Sequence, residues 1–382
     1  MSNPRAPVIV GIGRTVYSRS SGRTTLAMAA EAARFALDDA GLTAADVDGA
    51  ATYQVGDSAG PMRVSDAIGS PGLRWNLDLM GGGNYASSVV TNAAMALESG
   101  ACETAVVYRS LNGRSGRRFG RADGARRVGG PMQFTAPQGY STPPQWMAMW
   151  AREHQRVYGT TCEDLGEIAV TQRRHASRNE HAVHRKPITI DDYLAARWIN
   201  EPLRLYDCAL EVDGAVALVL TTAERARDTR QPLVSLLAHA EFTGAGGSWE
   251  QWPDLTTMYS KHVAPDLWSR SGLVPADVDV ACMYDCFTYT VMVTLEEFGY
   301  CERGEVGDFF REGRATYGGE VVVNPHGGLL SEGYIHGLNH SFEAVLQLRG
   351  DAGVRQVDAA EVALVTAGAG PYGGAMLLAV SR

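Results

Sequence analysis

The chain has 382 residues, a formal net charge of −9, 45% apolar and 20% charged residues. This is the profile of an ordinary globular protein, long enough for two domains or one large two-part core. The negative total repels phosphodiester backbones and excludes nucleic acid as a favoured partner. No apolar run reaches the roughly 18 residues that a membrane span needs, and "MSNPRAPVIVGIG" lacks a secretory h-region and cleavage site, so a cytoplasmic protein off the membrane is expected.

In chain order, "APVIVGIG" reads as a buried strand ending in a glycine turn. "TLAMAAEAARFALDDAG", 25 to 41, has helical periodicity and a glycine stop, and "DVDGAATYQ" reads as the next strand. This β-α-β order predicts a parallel sheet with helices on its faces. "GGGNYASSVVTNAAMALESGACETAVVYRS" then reads as a glycine turn, a helix and a strand. "RSLNGRSGRRFGRADGARR", 109 to 127, holds seven arginines. It reads as a solvated loop or as a phosphate-binding edge, since guanidinium pairs well with phosphate.

Residues 111 to 200 are rich in Arg, Trp, Gln and His. "PPQWMAMWAREHQRVYG" and "CEDLGEIAVTQRRHASRNE" read there as amphipathic helices, a helical insert over one face of the core. "PLRLYDCALEVDGAVALVLTTAERA" returns to the first unit, with Asp213-Gly214 as a tight turn before the buried strand "AVALVLTT".

The organising signal is an internal repeat. Gly-Leu-x-x-Ala-Asp-Val-Asp occurs at 41 and again at 272, each copy after a helix-like and before a strand-like stretch. "HGGLLSEGYIHGLNHSFEAVLQLRG" and "EVALVTAG" then repeat the turn, helix and strand order of the first unit. The expected divisions are residues 1–110 with 201–235, an insert of 111–200, and a second half of 236–382. The six cysteines (102, 162, 208, 282, 286 and 301) make no zinc pattern and read as free thiols. No metal and no cofactor are expected.

"PLRLYDCALEVDGAVALVL", "MYDCFTYTVMVTLEEFGYC" and "NPHGGLLSEGYIHGLNH" together resemble the thiolase superfamily, in its sterol-carrier-protein branch. The resemblance implies a duplicated, five-layered α-β-α-β-α fold with a helical loop-domain insertion and a homodimeric core. It also exposes departures. Tyr85 in "GGGNYASS" stands where the family's nucleophilic cysteine belongs. Tyr284 opens "YDCF" and Tyr334 sits in "GYIHG", where the family carries its two catalytic histidines. Acyl transfer through a covalent thioester needs a thiolate, so ordinary thiolase chemistry is not expected.

These tyrosine replacements are similar to those of thiolase-like aldolases that cleave steroid side chains. That likeness implies retro-aldol cleavage of a β-hydroxyacyl-CoA to a ketone or aldehyde and a short acyl-CoA, with Tyr284 as proton acceptor and Tyr334 as proton donor, or the reverse. A phenolate at neutral pH would require a pKa lowered from about 10 to 7; otherwise a neutral phenol serves through a hydrogen-bond relay. The resemblance further implies a small OB-fold, zinc-ribbon partner in a two-plus-two assembly. Two other readings stand beside it: a catalytically inactive scaffold subunit, and an acyltransferase working through Cys286.

Around the tyrosines, Asp285 reads as a buried hydrogen-bonding residue and Cys286 as packing or site lining. His326, His336 and His340 read as turn residues or tuners of the phenols. Tyr85 reads as a filler of the former cysteine space. Asn324 is a candidate for holding a water or amide near the thioester oxygen, and Gly368 lies in "TAGAGPYGG", whose backbone N–H groups can face an oxyanion. Arg114, Arg117, Arg118 and Arg121 are candidates for the CoA phosphates.

Overall fold

The computed structural model describes residues 3–116, 118, 129–130, 132–244, 249 and 252–380. Twelve strands are formed among them: β1 Pro7–Arg14, β2 Gly49–Gln54, β3 Trp75–Met80, β4 Thr104–Asn112, β5 Trp198–Asn200, β6 Leu203–Arg204, β7 Asp213–Thr222, β8 Val234–Thr243, β9 Val280–Cys282, β10 Val322–Val323, β11 Val362–Ala369 and β12 Tyr372–Val380. Ten of them make one mixed sheet in the order β10-β9-β11-β12-β8-β1-β7-β4-β2-β3, and β5 pairs with β6 apart from it.

Duplication is written into that order. Counted along the chain, each five-strand half runs third-second-fourth-fifth-first, and the two first strands, β1 and β8, meet antiparallel in the middle. Pairing senses repeat as well. β2 is parallel to β3 and β4 as β9 is to β10 and β11, while the fourth and fifth strands of each half are antiparallel.

The repeated octapeptide has the same physical task twice. Gly41 and Gly272 both end a helix in the left-handed conformation, at φ 73° and 72°, which a residue without Cβ adopts at no steric cost. The last aspartate of each copy accepts two backbone N–H groups at the start of the fourth strand. Asp48 takes those of Glu103 and Thr104 (both 2.9 Å), and Asp279 those of Glu361 (2.8 Å) and Val362 (3.0 Å).

Helices form the layers. Helix Thr25–Ala40 covers β1, β7 and β4 from outside, burying a face rich in alanine, and helix Ser260–Ser271 covers β8 and β12. Helices Ala86–Ser99 and Leu338–Arg349 touch each other and strands of both halves. They are the inner layer, and Val89, Val90, Leu97, Leu338, Phe342 and Val345 pack there in one core with Val216, Val280 and Val365. This is the expected α-β-α-β-α order.

The two amphipathic segments are helices Pro143–Tyr158 and Cys162–Ala176. The second packs on helices Thr288–Glu297, Val306–Arg311 and Gly328–Ser331 of the second half. Asp213-Gly214 departs from expectation: it is the start of β7, paired with Asn112 and Leu111, and not a turn. The Asp213 carboxylate is occupied as a clamp, accepting the N–H groups of Ser21 (2.9 Å), Arg114 (3.1 Å) and Ser115 (2.9 Å). Among the described residues no helix is long and apolar enough to cross a membrane.

Candidate active site

The second half delivers both tyrosines to one point. Tyr284 follows the C-terminal end of β9, its N–H held by the Thr366 hydroxyl (2.9 Å) and its carbonyl by the Thr290 hydroxyl (2.8 Å). Tyr334 lies in the segment before helix Leu338–Arg349, its N–H donating to the Leu210 carbonyl (2.9 Å). The two phenolic oxygens are 2.9 Å apart, and the rings meet edge to face with centroids 6.4 Å apart.

Two glycines make room for this dyad. A Cβ on Gly83 would overlap the Tyr284 hydroxyl, and one on Gly337 would come within 2.8 Å of the same ring. The Gly83 turn also carries Tyr85, which occupies the residue before helix Ala86–Ser99 with its ring packed over Gly81. Asn84 fastens the turn to the β11–β12 hairpin through the carbonyls of Ala369 (3.3 Å) and Tyr372 (2.8 Å). Tyr85 therefore stands at the N-terminus of a buried inner helix, in the same loop that borders the Tyr284 phenol.

Burial governs the electrostatics. Tyr284 is only 3% exposed, and its pKa is raised well above the ordinary phenol value by burial and by the neighbouring Tyr334 and Cys286. Tyr334 is raised by burial and by Cys286. A lowered phenol pKa is thus not what this site makes: low-dielectric surroundings penalise the phenolate, and the dyad rests neutral. Burial likewise pushes the Cys286 thiol up, which makes it a poor source of nucleophilic thiolate.

The surrounding residues divide into those that touch the dyad and those that hold its frame. His336 does the first: its ring centroid is 4.7 Å from that of Tyr334. Burial and the Arg109 guanidinium lower its pKa to about 3, so the imidazole is neutral. His340 lies 6.3 Å from the Tyr284 ring between centroids, with Nε2 3.2 Å from the Asp285 carboxylate. His326 packs edge to face on His340 at 5.0 Å. Asp285 itself accepts the N–H groups of Leu329 (2.8 Å) and Leu330 (3.2 Å) and so fixes the turn that leads to Tyr334.

Asn324 and Gly368 belong to the frame. Asn324, at φ 49°, spends its amide on the backbone of Met283, accepting the N–H (2.8 Å) and donating to the carbonyl (2.9 Å). It sets the residue before Tyr284. Gly368 pairs with Gly373 across the β11–β12 hairpin, where a Cβ would strike Tyr372 and Gly373 backbone. Arg118 does not present a free cation, because its guanidinium is paired to Glu211 at 2.5 Å. Arg114 is exposed, and Arg117 and Arg121 lie outside the described residues.

Sequence reasoning passed over Asp57 and counted Arg109 in the arginine-rich stretch 109–127, whereas Arg109 stands inside β4. Arg109 is fully buried, 2.6 Å from the Asp57 carboxylate and 2.9 Å from His336 Nδ1. A lone arginine inside the strand pattern "TAVVYRSLN" was the available signal, since a buried charge requires a partner.

Comparisons with known proteins identify relatives of the whole chain. Residues 245–381 match the thiolase C-terminal domain-like family. The chain is 43% identical, over 97% of its length and 98% of the relative's, to 17-hydroxy-3-oxo-4-pregnene-20-carboxyl-CoA lyase of Mycobacterium tuberculosis. It is 39% identical to the steroid side-chain-cleaving aldolase of Thermomonospora curvata, over 99% of both chains. Among solved structures it superposes on the Ltp2-ChsH2(DUF35) aldolase with a TM-score of 0.92 and 39% identity over the whole of both chains. Human mitochondrial 3-ketoacyl-CoA thiolase shares the fold at a TM-score of 0.71 and 12% identity, covering the whole of both chains. The chain belongs to the thiolase-like steroid side-chain-cleaving aldolases.

Proposed function

We propose that the protein is a carbon–carbon lyase that cleaves a β-hydroxyacyl-CoA bearing a steroid side chain by a retro-aldol reaction, with Tyr284 and Tyr334 as its acid–base pair. One observation carries this reading: the 2.9 Å contact between the two phenolic oxygens. The names of the two most similar relatives described above support the substrate class.

The chemistry needs no net proton from solvent. The first phenol accepts the β-hydroxyl proton as its own proton passes to its partner. The hydroxyl oxygen forms a carbonyl, and the Cα–Cβ electron pair moves to Cα, giving a thioester enolate. The second phenol protonates that carbon. A proton leaves oxygen and one arrives at carbon, and the short link between the phenols is the path between them. Two neutral phenols suit this relay better than one phenolate, and no covalent acyl-enzyme is formed. Tyr284 is assigned as acceptor and Tyr334 as donor. The buried, protonated Cys286 does not favour an acyltransferase.

We also infer a partner protein of small OB-fold, zinc-ribbon type in a two-plus-two complex, supported by the paired name of the similar solved structure. The test is Tyr284→Phe and Tyr334→Phe, assayed with the partner for release of short acyl-CoA. Each is expected to lose activity by about 10²–10⁴-fold, the usual range for a general acid or base. Wild-type rates in both would remove the mechanism, and inactivity of the wild type across β-hydroxyacyl-CoA substrates would favour a scaffold.

A further inference from the structure

The contact between Arg109 and His336 decides more than stability. A guanidinium has only N–H donors. Arg109 Nη2, 2.9 Å from His336 Nδ1, therefore obliges that nitrogen to accept. In a neutral imidazole the proton is then on the other nitrogen, Nε2. We propose that Arg109, anchored by Asp57, fixes His336 as the Nε2–H tautomer, and that this neutral imidazole is a hydrogen-bond donor to the thioester oxygen as it becomes an enolate.

The placement is over-determined. Arg109 is held by the Asp57 carboxylate (2.6 Å) and donates through Nη1 to the Ser110 carbonyl (3.0 Å). The Tyr53 ring lies 5.4 Å from its guanidinium carbon, and the Tyr53 hydroxyl donates to the His336 carbonyl (2.7 Å). His336 adopts φ 51°, one of three non-glycine residues with positive φ among those described. Such a conformation persists where surrounding contacts impose it, and it clusters at functional sites.

The ring's orientation suits a donor. Its centroid is 4.7 Å from that of Tyr334. Its distal edge faces the glycine turn before helix Ala86–Ser99: Cε1 is 4.0 Å from where a Cβ on Gly82 would be. A thioester carbonyl bound beside the dyad meets Nε2, the ring nitrogen away from Arg109. A neutral donor is the useful one, because an imidazolium would surrender its proton to the enolate oxygen and compete with protonation at carbon. Arg109, by this account, is a positioning residue that acts through His336. Arg109 and Tyr334 touch the imidazole, the Asp57 carboxylate acts on it through space, and the Tyr53 hydroxyl meets the backbone carbonyl of the same residue.

The donor role rests on the lyase reading; the tautomer does not, and the experiment separates them. His336 is the only histidine that follows an isoleucine, so isoleucine-carbonyl and histidine labels mark it uniquely in magic-angle-spinning NMR of the full chain. Its Nδ1 is expected unprotonated and its Nε2 protonated, unchanged from pH 6 to 9. A protonated Nδ1 in the wild type at pH 7 overturns the proposal without recourse to any variant.

For the donor role, His336→Asn keeps an acceptor for Arg109 and tolerates positive φ, but has no group at Nε2. It is expected to lower kcat by about 10²–10³-fold, the usual cost of one oxyanion donor, and to change KM by less than about threefold. The double variant Asp57→Asn/Arg109→Met removes both buried charges together and, with the Arg109 donor gone, should let the Nδ1–H tautomer appear in the spectrum. Unchanged kcat in His336→Asn overturns the donor role and leaves the lyase standing. A wild type that releases no acyl-CoA overturns the lyase and with it the donor role.

Discussion

The Tyr284 phenol occupies the volume that a Cβ on Gly83 would take. Gly83 is therefore a condition of the dyad. Gly83→Ala should force the phenol away from Tyr334 and cost about 1–3 kcal/mol, as overpacking of a filled site does. Acyl-CoA release should fall to near the level of Tyr284→Phe. Thermal unfolding measured alongside the assay checks that the fold survives, and full activity in Gly83→Ala would show that the contact is not needed.

The neutral dyad predicts a pH profile. Both phenols are raised above the ordinary value, chiefly by burial, so neither ionises between pH 6 and 9. If the relay works with neutral phenols, kcat/KM is flat across that range. A mechanism that requires a phenolate gives the opposite slope, with the rate rising about tenfold per pH unit up to the raised pKa. A profile of that second kind, measured with the partner bound, would replace the relay by a pre-ionised base.

Much of this was legible in the chain. Helix 25–41, the strands at either end of the first unit and the two insert helices follow from periodicity and glycine stops, and the octapeptide repeat pointed to a duplicated fold. Repetition works because both copies carry the same residue, Asp48 or Asp279, for the same two N–H groups. What sequence pattern hid was long-range and polar. Asp213-Gly214 has turn composition, yet the Asp213 carboxylate is claimed by Ser21, 192 positions earlier, and by Arg114 and Ser115, 99 and 98 positions earlier. Arg109 and His336 are 227 residues apart, and no local pattern joins them. The direction of the phenol shifts was equally out of reach, since burial is a property of the assembled core.

The aspartate clamps invite a paired measurement. Asp48→Ala and Asp279→Ala each strip two backbone N–H groups of a charged acceptor. Hydrogen bonds to charged groups contribute about 1.5–3 kcal/mol each, partly offset by water at these half-buried positions. Losses of about 2–4 kcal/mol are expected in urea unfolding, similar in the two variants. A large loss in one and none in the other would mean that the repeat no longer has a common structural role.

Cys286 separates the lyase from an acyltransferase. Its thiol is 9% exposed and pushed above the ordinary value by burial. Thiolate is the reactive form, so iodoacetamide at pH 7.5, roughly one unit below the free thiol, should react with it slowly. Acyl-CoA release should survive treatment that fully alkylates free glutathione in the same solution. Rapid inactivation in step with labelling of Cys286 would restore a cysteine mechanism.

Beneath the site, Glu297 ties the stability of the second half to pH. Its carboxyl is buried among the Ser260 hydroxyl, the Met258 N–H (3.1 Å) and Arg303 (3.0 Å). Burial outweighs these partners and raises its pKa to about 7. In the unfolded chain the group titrates near 4.3. Between those values the folded protein holds a proton that the unfolded chain has released, so stability falls as pH rises through the window and is unaffected below it. The size is about 4 kcal/mol at 1.36 kcal/mol per unit. Glu297→Gln cannot titrate and lacks this slope. Relative to wild type, it should gain stability between pH 4.5 and pH 8 in urea unfolding. A constant difference across that range would mean that Arg303 holds Glu297 ionised in the folded state.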